Sequence, residues 1–266
     1  MQRRPFTYLF RIRYLGLRYH GWQAQKGVKT IQGTLYRTFR YVLGHEDFTL
    51  LGASRTDSGV SCLDGAFELF LREPTDASSL LEQANENLPP DIHLLSCRTV
   101  PASFNIIQDV SCKQYGYYFS FGEKPHPFFA GTLAYAGKSL DISLMEQGAL
   151  LFRGKHDFRR FCSPGKNTDD FHREIDYVDL LAADRSLVPL VPENTRIFRV
   201  RGKGFLMHQV RRMAAALFLL GSGKLSLQML EAALLGTEAA PLAPKAPATG
   251  LVLEEVEFHE GSLVNA

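Results

Sequence analysis

From Phe6 the chain alternates. Phe6, Tyr8, Phe10, Ile12 and Tyr14 fall on one side, and Thr7, Leu9, Arg11 and Arg13 on the other. A period of two predicts a strand with one buried face, and here the opposite face carries two arginines. Gly16 to Lys29 then reads as a loop holding His20, Gly21, Trp22 and Gln23. Thr30 is placed to cap a helix in which Ile31, Leu35, Phe39 and Val42 recur at helical spacing, and Gly44 supplies the stop. Thr49–Ala53 reads as a short strand, 54–61 as a loop, and the next residues as a strand through Phe67, Leu69 and Leu71. Ser78–Leu88 reads as a helix ended by Pro89-Pro90, and Ile92–Val100 as a strand.

The order strand–helix–strand–strand–helix–strand suits a split βαβ unit, and a comparable run follows it. Lys113–Phe121 is strand-like and Ser143–Leu151 helical. Tyr177–Ala182 and Ile197–Val200 are strand-like, Phe205–Leu220 is helical, and Leu251–Phe258 is a last strand. Residues 236–250, rich in Pro and Ala, read as a loop. The expectation is an α+β protein of two halves sharing a sheet. Their boundary falls near Phe104–Asp109, with no flexible linker, so the halves are expected to pack tightly.

The chain has 266 residues, 45% of them hydrophobic and 22% charged, enough to bury a substantial core and too apolar for wholesale disorder. A net charge of +2 hides an asymmetry. Residues 1–60 carry ten Lys/Arg against three Asp/Glu, residues 196–212 six basic residues and no acidic one, and residues 230–266 one Lys against six Glu. Folding can gather such segments into a basic face for a polyanion, or leave them as solvated surface. Cys62, Cys97, Cys112 and Cys162 show neither a C-x-x-C pair nor a His at zinc-like spacing, so they read as reduced, mostly buried thiols. Arg11 and Arg13 interrupt any signal-peptide core, and the longest apolar run, Met213–Leu220, is short for a bilayer. The expectation is a soluble, cytoplasmic protein with no metal site.

The segment from Gly52 to Val60, Gly-Ala-Ser-Arg-Thr-Asp-Ser-Gly-Val, sets Asp57 between two short strands, with Gly59 free to take a positive φ. Alone it reads as an ordinary Asp-Ser-Gly turn. The same triplet also spells the active site of aspartic proteases, which need two carboxylates sharing a proton. Here Ser54, Arg55 and Thr56 precede it instead of an apolar strand, and no second D-[ST]-G occurs. The neighbouring Arg would favour two ionised carboxylates, and the αβ pattern opposes a small all-β protease.

With the rest of the chain, this loop resembles the Arg-Thr-Asp-x-Gly-Val motif of the tRNA pseudouridine synthase A family. Five further blocks match in order: Tyr14-x-Gly16-x-x-Tyr19-x-Gly21-Trp22-Gln23-x-Gln25 running into Thr30-Ile31-Gln32-Gly33-x-Leu35; Asn87-Leu88-Pro89-x-Asp91-Ile92; Gly154-x-His156-Asp157-Phe158-x-x-Phe161; Gly204-Phe205-Leu206-x-His208-x-Val210-Arg211; and Ala246-Pro247-x-x-Gly250-Leu251. The resemblance implies the pseudouridine synthase fold. Two ferredoxin-like halves, 1–106 with the Asp loop and 107–266 with an active-site Tyr and Arg, share a central, mainly antiparallel sheet, with the active-site cleft between them. It also implies a homodimer that isomerises uridine in tRNA, usually at the end of the anticodon stem-loop, without cofactor or obligatory metal.

Residue by residue, the resemblance makes Asp57 the catalytic carboxylate, acting as a nucleophile at the sugar or base or as a base at the 2′ carbon. Tyr115 matches an active-site phenol that stacks on the flipped uracil and helps move the carbon-5 proton; otherwise it is a buried strand aromatic. Arg211 matches the Arg that keeps the carboxylate ionised and oriented, against a helix-surface reading. Arg55 matches the residue that fills the space left by the flipped base, and Leu251 an apolar wall of the uracil pocket. Thr56 joins them as a substrate-binding residue. Arg13 and Lys203, with Arg11, Arg18 and Arg212, are candidates for phosphate contacts. Trp22 and Phe158 are assigned to packing, and His156 beside Asp157 is set aside as a catalytic pair because adjacent side chains seldom face each other.

The chain departs from the family pattern at Ser54 (usually Gly), Ser61-Cys62 (His-Ala), Phe104-Asn105-Ile106-Ile107 (Phe-His-Ala-Arg), Lys113 (Arg) and Gln209 (Met). The catalytic set is intact, whereas part of the RNA-contact set is changed. A divergent paralogue with another RNA target therefore stays open, as does a non-catalytic RNA-binding protein of the same fold.

Overall fold

A computed structural model describes residues 4–165, 169–183, 192–236 and 238–263. In chain order its strands and α-helices are β1 (Phe6–Tyr14), α1 (Ile31–Leu43), β2 (Thr49–Gly52), β3 (Ser61–Leu71), α2 (Ala77–Asn87), β4 (Ile92–Thr99), β5 (Val110–Ser120), β6 (Ala134–Tyr135), α3 (Ile142–Leu150), β7 (Gly154–Asp157), β8 (His172–Ile175), β9 (Tyr177–Ala182), β10 (Thr195–Gly202), α4 (Gln209–Gly221), α5 (Leu227–Ala233) and β11 (Leu251–Phe258). The protein is α+β and divides into two compact units, Met1–Cys112 with Leu253–Ala266, and Lys113–Val252.

In the first unit β1 lies between β4 and β3, antiparallel to both, and β2 pairs with β3. The face of β1 predicted to be buried packs against α1. Phe10 stacks on Phe67 at 4.8 Å and meets Phe39 of α1 edge-on at 5.4 Å. Such pairs contribute roughly 0.5–1.5 kcal/mol each beyond the area they bury. Helix α1 has the predicted ends: the Thr30 side chain accepts from Gly33 N–H, and Gly44 is left-handed at φ 74°. Asp76 caps α2. The opposite face of β1 is not wholly open, since Thr7 and Leu9 are buried there as well.

In the second unit β10 lies between β5 and β9, antiparallel to both, and β6 adds to β5 in parallel. Phe218 of α4 meets Tyr117 and Phe119 of β5 at 5.8 and 4.9 Å. Phe152, after α3, packs on Phe198 and Phe161. Helices α3 and α4 come close because Gly148 faces Leu220 and Gly221 faces Met145, with no room for a Cβ at either glycine.

The sequence pattern starts α4 at Phe205, whereas the helix begins at Gln209. His208 takes a left-handed conformation, φ 62°, which interrupts the helical run, and Gln209 Oε1 accepts from Leu206 N–H at 2.7 Å. The β7–β8 hairpin and the seven-residue α5 have too few periodic positions to register in the sequence. Of the expected 236–250 loop, residue 237 lies outside the described residues. Among the described residues no helix is long and apolar enough to cross a membrane.

One buried carboxyl stands out in the first unit. Glu68 of β3 is 1% exposed. Its Oε2 accepts from Ile106 N–H at 3.4 Å, and its Oε1 has no partner among the described residues. Burial pushes its pKa up to about 7; the Ile106 N–H opposes this and Asp109 adds to it. Because the folded value exceeds that of an exposed Glu, the folded chain binds the extra proton between about pH 4.5 and 7. The contribution of Glu68 to stability is therefore full below this window and is lost as pH rises through it. We expect Glu68→Gln to remove this slope and to raise stability at pH 8 by on the order of 1–3 kcal/mol. Urea melts of wild type and variant at pH 5, 6.5 and 8 check this; parallel curves at all three would refute it.

Candidate active site

The loop at 53–60 joins β2 to β3 and carries Arg55, Thr56 and Asp57. It is held from outside by the segment that follows β1. Trp22 N–H donates to Thr56 O at 3.0 Å, and Gly59 N–H donates to Tyr19 O at 3.1 Å. The Ser58 hydroxyl reaches the same Tyr19 carbonyl at 3.3 Å. The Thr56 and Tyr14 hydroxyls share a hydrogen bond of 2.7 Å, and Gly16 N–H donates to Ser61 Oγ at 3.0 Å. Inside the loop, Val60 N–H closes on Asp57 O at 3.2 Å.

Two glycines make the contact possible. A Cβ at Gly16 would collide with the Val60 carbonyl. One at Gly21, whose φ is +85°, would lie 2.7 Å from Thr56 O and 3.1 Å from the Asp57 carbonyl carbon. Trp22 is buried against Gly52, Tyr14 and Phe67, in the packing role expected of it. The clamp is itself anchored to α1, where Ile31 N–H donates to Gly21 O, Gln32 N–H donates to Trp22 O, and the Gln32 amide donates to Leu50 O.

Tyr19 is braced in turn. Its hydroxyl donates to Asp91 Oδ1 at 2.7 Å, and Lys29 Nζ sits 4.6 Å from its ring centre. Burial, then the hydrogen bond to Asp91, raises the phenol above its ordinary value. Burial works against the Asp91 charge, but the Tyr19 and Arg18 hydrogen bonds prevail and hold its carboxyl below the usual range. Asp91 stands in a motif that the sequence marked without a role; its role here is to fix Tyr19.

The basic residues divide by what they touch. Arg11 binds Asp64 and the Val256 carbonyl, and Arg18 pairs with Asp91 at 2.6 Å. These two expected phosphate contacts are occupied by the fold. Arg13 and Arg55 are exposed and within 4 Å of no carboxylate among the described residues. Arg13 lies opposite His93 on β4. Thr56 is buried, with its hydroxyl used by Tyr14, and Asp57 is half-buried.

The second unit carries Tyr115, Lys203, Arg211 and Leu251. Tyr115 of β5 pairs with Val200, is half-buried, and meets the Phe205 ring edge-on at 5.2 Å. Two residues before it, burial lowers Lys113 to about 8. The Gly204–His208 turn is pinned where Ser163 N–H donates to Met207 O and the Ser163 hydroxyl meets His208 Nδ1 at 2.9 Å. Arg211, in the first turn of α4, is tied both ways to Ala246: its Nε donates to the carbonyl at 2.8 Å and its own carbonyl accepts from Ala246 N–H at 3.2 Å. The Tyr117 hydroxyl donates to Pro247 O at 2.8 Å, and Gly250 abuts Tyr118 O and the Tyr117 ring. Residues 243–250 thus form a strap that fixes Arg211 and delivers Leu251, 6% exposed, to the start of β11.

Arg212 donates to Ala243 O at 2.6 Å and to Ser163 Oγ, so it braces the strap; Lys203 is exposed. His156 turns to the Arg153 carbonyl while Asp157 caps Arg159 N–H, so the adjacent pair does not meet, and Phe158 is fully buried.

A rigidly mounted carboxylate, a half-buried phenol and a strapped arginine are the groups that base or nucleophile chemistry without a cofactor would use. Residues 149–259 match the family described as tRNA pseudouridine synthase. The tRNA pseudouridine synthase A of Thermodesulfovibrio yellowstonii is 31% identical over 249 residues, covering 93% of this chain and 97% of that one. That of Acetivibrio thermocellus is 30% identical over 247 residues, with the same coverage. The family match and these relatives make the chain an RNA-modifying isomerase, a pseudouridine synthase. The chain belongs to the tRNA pseudouridine synthase A family.

Gly21 provides a test of the clamp that touches no reacting group. We expect Gly21→Ala to shift the Thr56–Asp57 backbone and cut turnover on the order of 100-fold, with a melting temperature a few degrees lower and RNA affinity reduced far less than turnover. Single-turnover kinetics beside a binding isotherm check it; wild-type turnover would show that the clamp does not set the position of Asp57.

Proposed function

We propose that this chain converts uridine to pseudouridine in tRNA, at the end of the anticodon stem-loop, with Asp57 as the catalytic carboxylate. The observation that carries the reading is the loop at 53–60. Its backbone is held at Thr56 and Gly59 by a separate segment, so the carboxylate is presented on a fixed frame. In the reaction the bond from uracil N1 to C1′ breaks, the base turns, and C5 bonds to C1′. The C5 proton leaves and N1 regains one, so neither oxidant nor energy input is needed.

Asp57 acts at the sugar or base, or as base at the 2′ carbon. Tyr115, its ring set by Phe205, stacks on the uracil and assists loss of the C5 proton. Arg211 supplies the positive charge that keeps a carboxylate ionised. Arg55 replaces the extruded base, whose unstacking costs about a few kcal/mol. Leu251 walls the uracil, Thr56 orders the loop beneath it, and Arg13 and Lys203 contact phosphates. The enzyme works in the cytoplasm as a homodimer.

The 104–107 segment bears on target choice. Asn105 Oδ1 caps the N–H groups of Ile107 and Gln108, Ile106 is buried, and Ile107 is 60% exposed. An apolar tip here offers no charged contact to phosphate.

We expect Asp57→Asn, near-isosteric but uncharged, to abolish pseudouridine formation on unmodified tRNA while leaving the melting temperature within about 2 °C. Carbodiimide mapping of wild-type and variant reactions reads both the chemistry and the position. Equal pseudouridine from the variant would reject Asp57, and wild-type product outside the anticodon arm would move the target.

A further inference from the structure

On the first unit, an open groove of about 410 Å³ runs between α1 and the end of α2. Its lining includes Lys29, Arg37 and Tyr41 on one side and Asn87, Leu88 and Pro89 on the other, with no acidic side chain. Arg37 and Tyr41 lie four residues apart on α1, so they project on one face. Tyr41 is 75% exposed, although most of the aromatic residues on this unit are in its core.

The groove's cations, like Arg13 and Arg55, lie outside the ion pairs of the fold. Elsewhere on the unit Arg4, Arg11, Arg18, Arg40 and Arg72 each pair with a carboxylate. Lys29 and Arg37 have none within 4 Å among the described residues. Lys29 lies over the Tyr19 ring, and Arg37 donates to Thr34 Oγ1 at 3.2 Å. The Asn87 amide nitrogen donates to Gln83 O, leaving its oxygen as an acceptor. Two cations outside close ion pairs, with Asp91 a more distant neighbour of Lys29, an exposed ring, and Leu88 with Pro89 are the parts that hold one nucleotide of a chain: phosphate on the cations, base on the ring. Exposed Arg37 and Tyr41 leave the groove open, which suits a passing polynucleotide better than an enclosed small molecule.

We propose that this groove is a second RNA-binding site, in which Lys29 and Arg37 hold a backbone phosphate and Tyr41 stacks an unpaired base of the substrate. The proposal rests on the reading of the chain as an RNA-modifying enzyme. Lys29 also braces Tyr19, whose carbonyl receives Gly59 N–H and the Ser58 hydroxyl. RNA held in the groove therefore bears on the same tyrosine that positions the Asp57 loop.

The test measures binding of unmodified tRNA transcript by fluorescence anisotropy over a salt series, using full-length protein in the Asp57→Asn background. We expect the Lys29→Ala/Arg37→Ala double variant to bind roughly 10- to 100-fold more weakly, with a salt slope shallower by about 0.7–0.9 for the one lost phosphate contact. Lys29→Arg/Arg37→Lys should restore the slope. Tyr41→Ala should weaken binding about tenfold and Tyr41→Phe hardly at all. Far-ultraviolet dichroism confirms that the variants fold.

Unchanged affinity and slope in the double variant, while wild type binds RNA and forms pseudouridine, would overturn the proposal. A fluorescent uridine monophosphate whose binding is lost in the double variant while RNA affinity holds would also overturn it, in favour of a free-nucleotide pocket. Wild-type protein that neither binds nor modifies RNA would remove the underlying reading and this site with it.

Discussion

The loop that carries Asp57 buries Ala53, Thr56 and Val60 but is neither helix nor strand, and two backbone hydrogen bonds from another part of the chain hold it. Trp22 N–H and the Tyr19 carbonyl grip Thr56 and Gly59, at a distance that glycine alone permits at positions 16 and 21. Most of the first unit can be traced outward from that contact. Trp22 is seated on Phe67, Gln32 ties the clamp to β2, and Asp91 ties Tyr19 to the start of β4. A backbone held by hydrogen bonds on either side of Asp57 keeps its geometry while the Asp57 side chain itself stays half-buried.

The second unit solves a similar problem with a strap. Residues 243–250 return to α4 and β5 and satisfy Arg211, Arg212 and Tyr117 through main-chain carbonyls. Tying a guanidinium Nε to a carbonyl fixes the direction of the side chain without neutralising its charge. Both units thus orient polar side chains with backbone groups, which cannot titrate and do not compete for a negatively charged substrate.

Charge is distributed by the same logic. Arginines that pair with carboxylates, such as Arg11 and Arg18, are part of the framework, while Arg13, Arg55 and Arg37 are exposed and lie within 4 Å of no carboxylate among the described residues. A modest net charge is compatible with RNA binding because pairing inside the fold removes some cations from the field and leaves others concentrated. Glu68 is the counter-example, a carboxyl buried beside the Ile106 N–H with no cation paired to it among the described residues.

Periodicity and capping alone were enough for the long elements. The alternation of β1, the Thr30 and Gly44 ends of α1, and the bounds of β9 and β11 match the structure because these signals are local: they need only neighbouring residues. The site residues were legible as types and order, through the motif blocks. What each one touches was not. The start of α4 was misread because His208 adopts a left-handed turn that no apolar spacing reveals. Arg11 and Arg212 looked like phosphate contacts until their partners, 53 and 31 residues away, were in view. Tyr19, Asp91 and Gly21 carried no chemical signal because their work is to hold a loop more than thirty residues distant in sequence, and contacts of that range exist only in the folded chain.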